Sequence, residues 1–127
     1  MLLIDIGFNF VLTPIVCNSF LMNSLESAQK NKAKKILAKW QATQEQVEAI
    51  LPSYSDENIL VERYSLLIEI DQDICILFNN PENINGFMAM TNNNPYFSGR
   101  RPLDIIAEGD IETIKAVSKR IKALSLM

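Results

Sequence analysis

The sequence predicts an all-α fold, and three observations carry that expectation. Apolar residues recur at three- and four-residue steps along most of the chain, and no stretch alternates apolar and polar positions over the length of a strand. Helix-start residues precede the periodic segments, and Pro or Gly follows several of them. The chain has 127 residues, 48% hydrophobic and 21% charged, which is the length and composition of one ordinary globular domain. A small single-domain bundle of roughly five to six helices follows from these patterns.

Residues 1–22 stand apart from the rest. "MLLIDIGFNFVLTPIVCNSFL" is apolar, yet Asp5, Asn9, Pro14 and Asn18 interrupt it and no Lys or Arg precedes it. A spanning helix needs about 20 largely uninterrupted apolar residues, and a signal peptide begins with basic ones. The segment therefore reads as an extended apolar arm packed on a core or partner, or as an extension upstream of a start at Met22.

A first helix is expected from Ser24 to Trp40, with Leu25, Ala28, Ile36, Leu37 and Trp40 inward. Thr43 and Gln46 have the spacing of a capping box, and Pro52 closes a short second helix ending at Leu51. Ser55 or Asp56 caps the longest helix, which runs to Phe78 with Leu60, Tyr64, Leu67, Ile68, Ile74, Cys75 and Phe78 as its buried stripe. Asn80 caps and Pro81 opens a further helix to about Met90, with Ile84, Phe87 and Met88 inward.

Turn residues then dominate. Asn92 to Pro95 and Ser98–Gly99 are expected as two turns, with Tyr96 and Phe97 pinned on the core between them. Pro102 opens a short helix through Glu108, and Gly109 takes the left-handed position behind it. Asp110 caps the last helix, which runs to Leu124 with Ile111, Ile114, Val117, Ile121 and Leu124 on one face.

Composition narrows the function. A net charge of -3 argues against a protein that coats nucleic acid through bulk positive potential. With no histidine, the chain lacks the commonest general base and the commonest transition-metal ligand. Cys17 and Cys75 read as free thiols of a cytoplasmic protein rather than a disulfide or zinc framework. Gly7, Gly86, Gly99 and Gly109 are too dispersed for a phosphate-cradling loop. Glu62, Glu69, Asp71, Asp73, Glu108 and Asp110 offer no assured catalytic pair, so an enzyme ranks last and neither cofactor nor metal is expected. Lys30, Lys32, Lys34, Lys35 and Lys39 read as a solvated helix face. Arg100 and Asp104, four residues apart, read as an exposed ion pair.

One stretch says more. "NNPYFSGRRPLDIIAEGDIETIKAVSKRIKAL" resembles the toxin-binding region of the Xre/MbcA/ParS-type antitoxins. Their pattern runs from an Asn-containing loop through a Gly-Arg turn and Pro-Leu-Asp to a short helix, a glycine and a final helix. Asn94, Gly99, Arg100, Pro102, Leu103, Asp104 and Gly109 fall on it. Upstream, Trp40 ends an early helix, "ICILF" ends a long one, and Phe87 stands where the family often carries Trp. The likeness spans Ser24 to Leu124 and is strongest in the last third.

The resemblance implies an antitoxin of a type II toxin-antitoxin pair. Its partner would be a RES-domain toxin that consumes NAD, and the antitoxin would block that enzyme's active site. Such a chain has no catalysis of its own, and NAD belongs to the partner. On this reading residues 23–55 are a degenerate or truncated helix-turn-helix region and residues 56–127 the toxin-binding region. Asn94, Arg100, Arg101, Asp104, Lys119, Arg120 and Lys122 are the implied toxin contacts, while Gly99, Pro102 and Gly109 set turns. A hetero-oligomer is implied, and homodimerisation stays open. Fuller relatives carry a basic DNA-reading helix of the type "GVSRRTLYRW". Here "WQATQEQVEAIL" leads at once into "PSYSDEN", so sequence-specific DNA binding by the isolated chain is not expected. The alternative class is a DNA-binding regulator of its own operon that uses the lysine-rich helix as a degenerate reader.

Overall fold

The computed structural model describes residues 14–126, with side chains from Ser27 onward, and its first helix, α1 (Pro14–Lys39), begins ten residues before the expected Ser24. Proline fits a first helical position because it has no N–H to leave unpaired. Nothing between Pro14 and Ser24 breaks a helix, so Ser24 is not a start. Residues 14–22, expected as part of an extended arm, are helical instead, while the part of that arm before Pro14 and the inward placement of Leu25 lie outside the described residues and side chains. Ala28, expected inward, is exposed.

The end of α1 carries no glycine, yet it is closed by a Schellman motif. Gln41 takes the left-handed conformation (φ 67°), its N–H donates to the Ala38 carbonyl, and Ala42 N–H donates to the Leu37 carbonyl, both at 3.0 Å. Helix α2 (Gln44–Ile50) begins with the expected box: Gln46 N–H donates to Thr43 Oγ1 at 3.1 Å, and Thr43 N–H donates to Gln46 Oε1 at 3.0 Å. Helix α3 (Glu57–Leu77) is capped by Asp56, whose carboxylate accepts from Asn58 N–H at 3.0 Å.

The buried stripe of α3 differs from the expected one. Leu60, Tyr64, Leu67 and Ile74 are buried as expected, and Ile70 joins them. Ile68 and Phe78 are half-buried, and Cys75 is exposed. Each helical step rotates by about 100°, so Cys75, next to the buried Ile74, turns away from the core. Two polar residues, Arg63 and Asp73, are buried on the same helix.

Asn80 caps helix α4 (Pro81–Gly86), accepting from Asn83 N–H at 2.8 Å. The helix stops at Gly86 and tightens into a 3-10 turn, Phe87–Ala89, instead of running to Met90. Met88 is buried there, and Phe87 packs on Phe78 with ring centres 5.6 Å apart. Helices α5 (Pro102–Ile106) and α6 (Ile111–Ser125) complete the chain, with Gly109 between them at φ 86°. The fold is therefore an all-α bundle, and among the described residues the extended pairing is confined to a bridge between Asn92 and Arg100.

Ion pairs give the helix directions. Glu62 pairs with Lys115 and, seven residues further along both helices, Glu69 pairs with Lys122, so α3 and α6 run parallel. Lys30 and Lys34 share a cleft with Glu57 and Leu60, whereas Lys39 reaches Asp71 at 2.6 Å, so α1 runs in the same direction. Residues 40–56 and 78–110 are thus two return crossovers. Each gives a carbonyl to Arg63, whose guanidinium donates to the Ile50 carbonyl at 2.9 Å and to the Gly109 carbonyl at 2.8 Å. Ile50 is the last residue of α2, where carbonyls lack helical partners, so a buried cation supplies the missing donor. Among the described residues no helix is long and apolar enough to cross a membrane.

Candidate protein-binding surface

The segment from Asn92 to Arg100 is a loop closed on itself. Asn92 N–H donates to the Arg100 carbonyl at 3.1 Å, and Gly99 N–H donates to the Asn92 carbonyl at 2.7 Å. The interior of the loop is built by asparagine side chains, because a short amide imitates a turn of backbone. Asn92 Oδ1 accepts from Asn94 N–H at 2.9 Å, and Asn94 Oδ1 accepts from Tyr96 N–H at 3.1 Å. Ser98 and Gly99 both take positive φ, 53° and 82°, and turn the chain back toward the bridge. Phe97 is fully buried, and Tyr96 stands edge-on to it at 5.2 Å.

Asn94, implied as a contact by the resemblance, is therefore half-buried with its side-chain oxygen already committed to the loop. The expected Arg100–Asp104 pair does not form. Arg100 binds Glu108 at 2.7 Å, and Arg101 binds Asp104 through two hydrogen bonds of 2.7 and 3.0 Å. Four-residue spacing brings side chains together only inside a helix, and α5 begins at Pro102. Arg100 lies before the N-cap, whereas Arg101, at the N-cap, reaches Asp104 across the first turn. Asp104 also accepts from Gln46 Nε2 at 3.0 Å, so the amide left over from the α2 capping box ties that helix to α5. The hydrogen bonds and charge of Asp104 raise the pKa of Arg101 above its ordinary value, and the two bonds hold its guanidinium against the first turn of α5.

The three implied contacts of α6 do not share one role. Lys122 is drawn toward α3, 3.0 Å from Glu69 and 3.3 Å from the buried Asp73, and these partners raise its pKa. Lys119 and Arg120 are exposed, and neither meets a carboxylate among the described residues. Arg120 lies over the Tyr96 ring, 5.0 Å from its centre. Through Tyr96, then, the loop carrying Arg100 and Arg101 meets the α6 edge carrying Arg120, while Lys122 faces elsewhere.

Sequence reasoning missed Gln46, Arg63 and Tyr96 as organisers of this surface. For Gln46 a signal existed, since a capping-box glutamine keeps a free NH2 that a glutamate lacks. Arg63 and Tyr96 act through partners 13 to 46 residues away, which no local pattern encodes. A second concavity of about 290 Å³ lies between α1, α2 and the start of α3, where Lys30 and Lys34 face Glu48 and Glu57. Its mixed charges offer no single recognisable ligand chemistry.

The fold and this surface define a small all-α protein that presents arginines on a rigid, self-bonded loop. No family model, curated protein or solved structure matches the chain.

Proposed function

We propose that the chain is a cytoplasmic antitoxin of a type II pair, a protein without catalysis of its own that binds and blocks a RES-domain enzyme consuming NAD. The observation that carries this reading is the Gly99–Gly109 segment. Its glycines occupy the left-handed turn positions and its proline opens α5, leaving Arg100 and Arg101 exposed on a fixed base. Arginine is enriched among the few residues that carry most of the binding energy of protein interfaces.

The test is co-expression. The product of the adjacent reading frame should arrest growth and deplete NAD when expressed alone, and this chain should reverse both. Arg100→Glu with Arg101→Glu should abolish rescue while circular dichroism shows unchanged helix content. A harmless neighbour, or rescue that survives the double substitution, would overturn the reading or its assignment to these residues respectively.

Sequence-specific DNA binding by the isolated chain is not part of the proposal. Residues 51–56, between α2 and α3, contain no helix that could enter a major groove. Gel shifts with the chain's own promoter should show only weak, salt-sensitive and unselective binding. Nanomolar selective binding would favour the regulator class instead.

A further inference from the structure

Lys39, Arg100, Arg101, Lys115 and Lys122 each meet a carboxylate, and Arg63 meets two carbonyls. Among the described side chains the other six cations, Lys30, Lys32, Lys34 and Lys35 on α1 and Lys119 and Arg120 on α6, meet neither, and of these Arg120 is the one seated on an aromatic ring. It is held in place there, with its guanidinium carbon 5.0 Å from the centre of the Tyr96 ring.

The ring is itself fixed. It packs edge-on against the fully buried Phe97, its backbone N–H is bonded to Asn94 Oδ1, and the loop is closed at Asn92 and Arg100. A guanidinium resting one face on an aromatic ring keeps its N–H edge free, and that edge is the part that grips a carboxylate with two parallel hydrogen bonds. The entropy of ordering a long side chain is then partly spent before any partner arrives.

The geometry points to Tyr96 and Arg120 as a docking site for a carboxylate-bearing segment of a protein partner, an exposed Asp or Glu that enters the free Arg120 edge. The identity of the partner as a toxin rests on the antitoxin reading; the carboxylate chemistry does not. A nucleic-acid backbone fits less well. It binds by neutralising several successive phosphates, whereas this site offers one seated cation on a chain of net charge -3, and Lys119, about 100° further round α6, lines a separate depression with Glu112.

The full chain would be titrated with an amidated hexaglutamate peptide, and separately with a single-stranded oligothymidine, while the arginine Nε–H signals are followed by NMR. Hexaglutamate should shift the Arg120 signal saturably, and Arg120→Gln should weaken binding about tenfold, the loss expected for one charge-assisted bidentate contact. Tyr96→Leu should also weaken it although Arg120 is retained, and Lys119→Gln should weaken it less than Arg120→Gln. An unmoved Arg120 signal, unchanged affinity in Arg120→Gln, or tighter binding of oligothymidine would overturn the site. The peptide arm needs no toxin. Peptide binding without growth rescue leaves the docking site standing and removes the antitoxin reading, whereas rescue without peptide binding removes the docking site alone.

Discussion

Three glycines of this chain should answer differently to the same substitution. At Gly109 the backbone has φ 86°, and an added Cβ would lie 2.9 Å from the Ala49 carbonyl oxygen. Gly109→Ala is expected to cost about 2–4 kcal/mol, combining left-handed strain with displacement of α2. Gly99 has a similar φ, 82°, but the nearest atom to its Cβ position is 3.7 Å away, so Gly99→Ala should cost only about 1 kcal/mol. Gly86 sits at φ -98° with ordinary contact to Met90, and Gly86→Ala should be neutral or stabilising by about 0.4–1 kcal/mol. The reverse change applies at Gln41, where φ is 67°: Gln41→Gly should stabilise by about 1 kcal/mol. Urea denaturation of the four variants would check the order, and equal losses at Gly109 and Gly99 would show that α2 yields freely to the added methyl.

At the scale of elements, stability is concentrated where one residue serves two helices. Thr43→Ala removes one half of the α2 capping box and should cost about 1 kcal/mol. Gln46→Ala removes the other half and the bond to Asp104, so it should cost more than Thr43→Ala and also loosen Arg101. Arg63→Met keeps much of the apolar bulk but strips the donors from two carbonyls, at an expected cost of about 3 kcal/mol. Thermal unfolding monitored by circular dichroism would rank the three. This ranking also marks where the sequence was legible. The starts of α2, α3, α4 and α5 were readable because caps and prolines act within four residues. The glycine-free Schellman end at Gln41 was not, because no local residue type signals it, whereas the start of α1 at Pro14 and the end of α4 at Gly86 carried a proline and a glycine that the expected boundaries passed over. On the surface, the turns at Gly99 and Gly109 were readable as φ requirements. The pairing of Arg100 with Glu108 was not, since it depends on where α5 begins, and neither was the seat of Arg120 on Tyr96, which needs the tertiary fold.

The whole molecule is laced along α3 by lysine–carboxylate pairs, and these make a prediction for alkaline pH. Lys115, bonded to Glu62, and Lys122, bonded to Glu69 and Asp73, both have pKa values raised above the ordinary 10.5. A lysine with a raised folded pKa contributes stability in full below its unfolded value and loses that contribution as pH rises through the folded value. Stability should therefore hold up to about pH 10.5 and fall above it, and Lys122→Gln should make that alkaline decline shallower. A decline of unchanged steepness in the variant would show that the pair with Glu69 and Asp73 is absent in solution. The same layout has a temporal consequence. Each crossover between the parallel helices gives one carbonyl to the single guanidinium of Arg63, and the second carbonyl belongs to Gly109. During synthesis, then, Arg63 cannot be enclosed before that glycine has been made, so a truncated product ending ahead of α6 should stay open to proteases where the chain carrying α6 resists them.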